Sequence, residues 1–147
     1  MPQYLKRIGN SSSGWREIGG QKYYFRSRWE ANYARYLQFL KRENKIQSWL
    51  YEPYTFWFNE IKRGVRSYKP DFKVFEFDGS HCWHEVKGFY DSKSMTKIKR
   101  LIKYYPDEKI LLIDSKWFMK NKNISKVISG WEHGGCNICS CNGYRSS

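Results

Sequence analysis

The sequence predicts an α/β fold, a mixed central sheet flanked by helices, on three observations. Trp29, Tyr33, Tyr36, Leu37 and Leu40 recur at helical spacing. Tyr68–Phe77 and Ser80–Lys87 alternate in character on either side of Asp78-Gly79, the pattern of a β-hairpin. Lys109–Asp114 (KILLID) is a short continuous apolar run, as in a central strand covered on both faces.

In chain order, residues 1–20 are rich in Ser, Gly and bases and are expected to form a flexible basic arm, with the folded domain at 21–130. Gln21–Phe25 is read as a short strand or as the approach to the first helix. Ser27 with Glu30 three residues on makes a capping box at that helix's start. Ile46–Phe58, dense in aromatic residues, reads as a strand interrupted at Pro53. Asn59–Ser67 is a basic loop. Met95, Ile98, Leu101, Ile102 and Tyr105 form one face of a second helix, and lysines cover the rest. Trp117–Met119 and Ile124–Ile128 are short helices or turns, and 131–147 is a Cys-rich tail.

The chain has 147 residues, of which 27 are Lys or Arg and 14 Asp or Glu, for a formal net charge of +13. Up to Lys69 there are 14 bases against 5 acids, and from Pro70 on 13 against 9, so the acidic minority gathers around the hairpin. An excess of this size favours a polyanion, most simply nucleic acid. Lys62, Arg63, Arg66, Lys69, Lys93 and Lys97 are the candidate phosphate contacts. No 18-residue apolar run and no signal-peptide pattern occurs, so a soluble cytoplasmic protein without membrane partners is expected. Four cysteines in such a chain do not imply a disulfide framework. His133, Cys136, Cys139 and Cys141 are soft enough ligands for Zn²⁺, but nine residues make a cramped site, and a metal-free end is preferred.

The chemistry concentrates at Pro70-Asp71 and Glu85-Val86-Lys87. On a strand Glu85 and Lys87 share a face. An Asp beside that Glu makes an all-oxygen pocket suited to Mg²⁺, with Mn²⁺ expected to substitute. Metal and lysine together suit phosphodiester hydrolysis. The pocket depends on register. A two-residue turn at Asp78-Gly79 would point Asp71 away from Glu85. A loop one residue longer, pairing Phe77 with His81, sets Lys73 opposite Glu85 and Asp71 opposite Lys87, all on one face. An odd-length loop or a bulge is therefore predicted. Phe72, Val74, Cys82 and Val86 then face the core. His81 shares the parity of Glu85, and His84 is a packing or surface residue.

These residues resemble the PD-(D/E)xK nuclease superfamily. The element order, the helix bearing Glu30, Tyr51-Glu52, Tyr68–Phe72 and Glu85–Gly88 resemble in particular the bacteriophage endonuclease I type of Holliday-junction resolvase. The resemblance implies a restriction-endonuclease-like sheet, Asp71 and Glu85 as metal ligands, Glu30 completing the acidic set and Lys87 steadying the attacking water and phosphate. Glu52 is placed less surely, as either an edge residue or part of the cluster. In that family the acidic helix comes from the partner of an intertwined dimer, so a homodimer acting on branched or distorted DNA is implied, in the host cytoplasm if phage-encoded. The alternatives are a site-specific or nicking endonuclease on duplex DNA, and an inactive DNA-binding module.

Overall fold

The computed structural model describes residues 13–133. The chain opens on a hairpin of β1 (Gly14–Ile18) and β2 (Gln21–Phe25), which pair antiparallel. The boundary expected at residue 20 thus falls in the turn of a hairpin. Residues 14–18 are a strand, and its last side chain, Ile18, is buried. α1 (Arg28–Arg42) follows, with Ser27 as N-cap accepting from the Glu30 N–H, as the capping box predicts.

Four strands form the central sheet in the order β3 (Ser48–Tyr51), β6 (Phe72–Phe75), β7 (His81–Val86), β8 (Ile110–Ile113). The first two pairings are antiparallel and β7–β8 is parallel, so the sheet is mixed. β4 (Phe56–Trp57) and β5 (Ser67–Tyr68) form a two-residue ribbon. This ribbon continues the β3–β6 ladder: Glu52 N–H donates to Asp71 O at 2.7 Å, and pairing resumes at Phe56–Tyr68 after a one-residue offset at Pro53–Thr55. The aromatic strand is interrupted where Pro53 predicts.

β8 occupies the edge of the sheet rather than its centre. Its Ile110 and Ile113 pack into the two cores, while Leu111 stays exposed. The apolar run KILLID therefore reflects the two faces of an edge strand crossed by helices, not a strand flanked by others.

One core lies on each face of the sheet. Phe72, Val74 and Val86 pack with Trp49, Ile113, Phe25 and the α1 residues Tyr33, Ala34 and Leu37. Trp83 packs on the other face with Phe56, Phe58, Tyr68 and Leu101 of α2 (Ser92–Tyr104). The alternation of β6 and β7 decides this partition, since successive side chains point to opposite faces. α3 (Ser115–Lys120) and a 3₁₀ turn (Lys122–Lys126) follow β8, and Trp117 of α3 packs on Tyr33 and Tyr36.

The last described residues belong to this unit. Glu132 receives Arg16 Nε at 2.7 Å and Nη2 at 2.9 Å, and Arg35 Nη1 at 2.7 Å. Its backbone exchanges two hydrogen bonds with the Asn32 side chain. A boundary at 131 therefore cuts through a clamp that joins β1 to α1. His133 is exposed, and Cys136, Cys139 and Cys141 lie outside the described residues.

Candidate acidic site

β6 and β7 set the register. Phe75 pairs with His81 and Phe72 with His84. Glu76 N–H donates to Ser80 O, so the loop is Phe77-Asp78-Gly79, three residues long. Gly79 has φ +85°, the left-handed conformation that a side chain resists. The odd-length loop is as predicted, but the pairing differs by two residues. Phe75, not Phe77, opposes His81. Asp71 consequently lies directly opposite Glu85 rather than Lys87, one pair beyond Phe72–His84. The parity that puts Asp71, Glu85 and Lys87 on one face is preserved.

Asp71 N–H donates to Glu85 Oε2 at 3.3 Å, and Asp71 Oδ2 accepts the Val86 N–H at 2.8 Å. Asp71 is buried. Burial, then the neighbouring Glu85 and Glu30 carboxylates, push it well above the usual carboxylate range. Burial also pushes Glu85 up, against the opposing pull of Tyr68, the Asp71 N–H, Lys87 and Lys97. Lys87 and Lys97, the latter an expected phosphate contact, are thus close enough to act on Glu85.

Glu30 enters from α1 of the same chain. Its Oε2 accepts the Tyr51 hydroxyl at 2.8 Å and the Arg26 N–H at 3.3 Å, and the Ser27 hydroxyl donates to Oε1 at 3.3 Å. It lies three residues into the helix start that Ser27 caps, and it is an acidic neighbour of Asp71. The resemblance implies delivery by a partner subunit; here α1 packs on its own sheet and brings Glu30 in cis.

Glu52, at the break between β3 and β4, has φ +46°, a strained conformation for a non-glycine residue. Its carboxylate bonds Arg26, which also reaches Asp71 Oδ1 at 3.2 Å. Glu52 therefore joins the cluster through Arg26.

Lys87 Nζ bonds Ser94 Oγ, and Ser94 in turn bonds the Asp91 carboxylate that caps α2. Lys62, Arg63, Arg66, Lys69 and Lys93 are exposed. The first three lie on or beside the β4–β5 loop, which Arg100 of α2 ties down through Val65 O. His84 is on the opposite face, bonded to the Tyr33 hydroxyl at 2.7 Å, a packing residue as expected. His81 is drawn to Glu108 at 2.7 Å.

Among the described residues no three His, Cys, Asp or Glu side chains stand close enough to cage an ion. Mg²⁺ does not require a cage: it keeps several waters and is held by one or two carboxylates with substrate phosphate. The chemistry of the donor set fits that ion, with buried Asp71 facing half-buried Glu85 and buried Glu30 beside them. One further atom fits as well. The Tyr68 hydroxyl is buried next to Glu85, yet makes no hydrogen bond of normal length and direction.

Residues 14–125 match the model of a family described as a protein of unknown function, DUF1064. The chain belongs to the DUF1064 family. No curated protein and no solved structure matches it. The stretch shared with DUF1064 begins at the first residue of β1 and contains Glu30, Glu52, Asp71, Glu85 and Lys87. It ends before Glu132 and His133.

Sequence reasoning missed Arg26, and it missed the part played by the Tyr51 and Tyr68 hydroxyls. Arg26 precedes Glu30 by four residues, a spacing that marks an ion pair only inside a helix, and it lies outside one. Tyr68, read as a strand aromatic, gave no signal of its hydroxyl's position.

Proposed function

We propose that this chain is a Mg²⁺-dependent DNA endonuclease of PD-(D/E)xK type that hydrolyses phosphodiester bonds in branched or distorted DNA. The observation that carries the reading is the opposition of Asp71 and Glu85 across β6 and β7, with Lys87 on the same face. Burial raises the pKa of both carboxylates, so the pair is costly to ionise without a cation beside it.

In this reading Asp71 and Glu85 hold the ion, and Glu30 adds negative charge beside them. Bound Mg²⁺ supplies Lewis acidity toward a phosphoryl oxygen and acidifies a water. Lys87, poised on the Ser94 hydroxyl, exchanges that partner for a phosphate oxygen and stabilises charge as it develops. Lys97 and the cations of the β4–β5 loop track the flanking backbone. The basic composition supports DNA as partner.

The test is incubation with Mg²⁺ and four substrates side by side: four-way junction, linear duplex, single-stranded DNA and RNA. Cleavage of the junction by the native chain and not by Asp71→Asn is expected. Junction and duplex cut at equal rates would move the reading to a duplex or nicking enzyme. DNA binding with no cleavage under Mg²⁺ or Mn²⁺ would leave a binding module.

A further inference from the structure

Arg26 stands where three carboxylates converge. Its guanidinium bonds Glu52, reaches Asp71 Oδ1 at 3.2 Å and lies 3.9 Å from Glu30 Oε2. The acids are held by burial or by the main chain: Glu30 and Asp71 are buried, and the Glu52 N–H is bonded to Asp71 O. The arginine is not. It occupies the bend between β2 and α1, and 60% of its side chain is exposed. A long flexible cation is thus laid from solvent over a rigid acidic floor.

We propose that Arg26 is a tethered counterion of the acidic site, and that its guanidinium and a divalent cation exclude each other from Asp71. The inference rests on the metal-dependent reading above. One Asp71 oxygen, Oδ2, is committed to the Val86 N–H, so Oδ1 is the freer one, and Arg26 holds it. A guanidinium carries one charge and a divalent cation two, so the ion neutralises the cluster better once it pays its dehydration. The exposed arginine loses little on leaving, since its head returns to water. Empty carboxylates would repel each other in the meantime. Arg26 keeps them together and sets a threshold of cation concentration for loading.

The experiment compares the native chain, Arg26→Ala, Arg26→Lys and Asp71→Asn by calorimetric titration with Mn²⁺ and with Ca²⁺, without DNA. Arg26→Ala is expected to bind the ion about tenfold or more tightly, the competition of a charge-assisted contact having been removed. Arg26→Lys should fall between, and it remains informative if the alanine variant fails to fold. In the native chain the Arg26 Nε–H resonance should shift as Mg²⁺ is added. Equal or weaker binding by both Arg26 variants overturns the proposal while leaving the metal reading intact. Absence of binding in the native chain and both variants overturns the two together. Binding that survives Asp71→Asn unchanged places the ion elsewhere, which also overturns it.

Discussion

Asp71 and Glu85 face each other across β6 and β7, and the Asp71 N–H donates to Glu85 Oε2 at 3.3 Å. Their side chains share one face, Asp71 buried and Glu85 half-buried, and the cost of charging both shows in the raised pKa of each.

That cost has a sign. A carboxylate raised in the folded state contributes stability fully present below its unfolded value, about 4, and lost as pH rises through the folded value. Asp71→Asn removes the charge and can keep the Val86 hydrogen bond. The variant should therefore be more stable than the metal-free native chain at pH 8, with the advantage vanishing below about pH 4. Thermal melts across pH check this; a native chain more stable than the variant at pH 8 would mean that Asp71 is ionised without strain.

His84 contributes with the opposite slope. Burial lowers its pKa from 6.5 to about 4. The neutral ring's stability is full above pH 6.5 and lost as pH falls toward 4, about 3 kcal/mol in all. His84→Gln, whose amide can still meet the Tyr33 hydroxyl, should flatten the acid limb of the stability curve between those values. An unchanged limb would assign it to other groups.

DNA affinity should fall steeply with salt, log K dropping by about 0.9 per phosphate contacted on duplex. Neutralising Lys62, Arg63 and Arg66 to Gln together should reduce that slope by up to about 2.7. If the slope does not move, the β4–β5 loop is solvated rather than bound.

Much of this was legible in the chain because periodicity and turn chemistry act locally. α1 and its Ser27 cap, the break at Pro53 and the odd loop around Gly79 all follow from residues within a few positions of each other. What was not legible depends on contacts far apart in sequence. The two-residue difference in hairpin register left parity intact, so the shared face could be inferred but not the partner of Asp71. Arg26 reaches Asp71 across 45 residues, and Glu132 reaches Arg16 across 116. No local pattern encodes either.

The Glu132 clamp has its own consequence. Burial opposes its charge, yet hydrogen bonds from Arg16 and Arg35 hold the carboxyl below its usual range. Glu132→Gln weakens both contacts and should cost about 2 kcal/mol in denaturant unfolding. It should leave cleavage per folded molecule unchanged, because the clamp lies at β1 and α1 rather than at Asp71. A neutral change would make 131–133 an appendage.

Glu30 allows cap and charge to be separated. The bond that caps α1 runs from the Glu30 N–H to Ser27 Oγ at 3.1 Å, so it belongs to the backbone and survives substitution at residue 30. The carboxylate instead takes the Tyr51 hydroxyl and the Arg26 N–H, and an amide oxygen can accept both. Glu30→Gln should thus unfold within about 1 kcal/mol of the native chain. It removes the negative charge beside Asp71, however, and cleavage should fall by about a hundredfold or more. Ser27→Ala is the mirror experiment: it deletes the cap at a cost of about 1 kcal/mol and leaves the charge in place, so activity should persist. The two variants must then separate, one losing rate and the other stability. If Glu30→Gln cuts at the native rate while losing as much stability as Ser27→Ala, Glu30 serves the helix and not the chemistry.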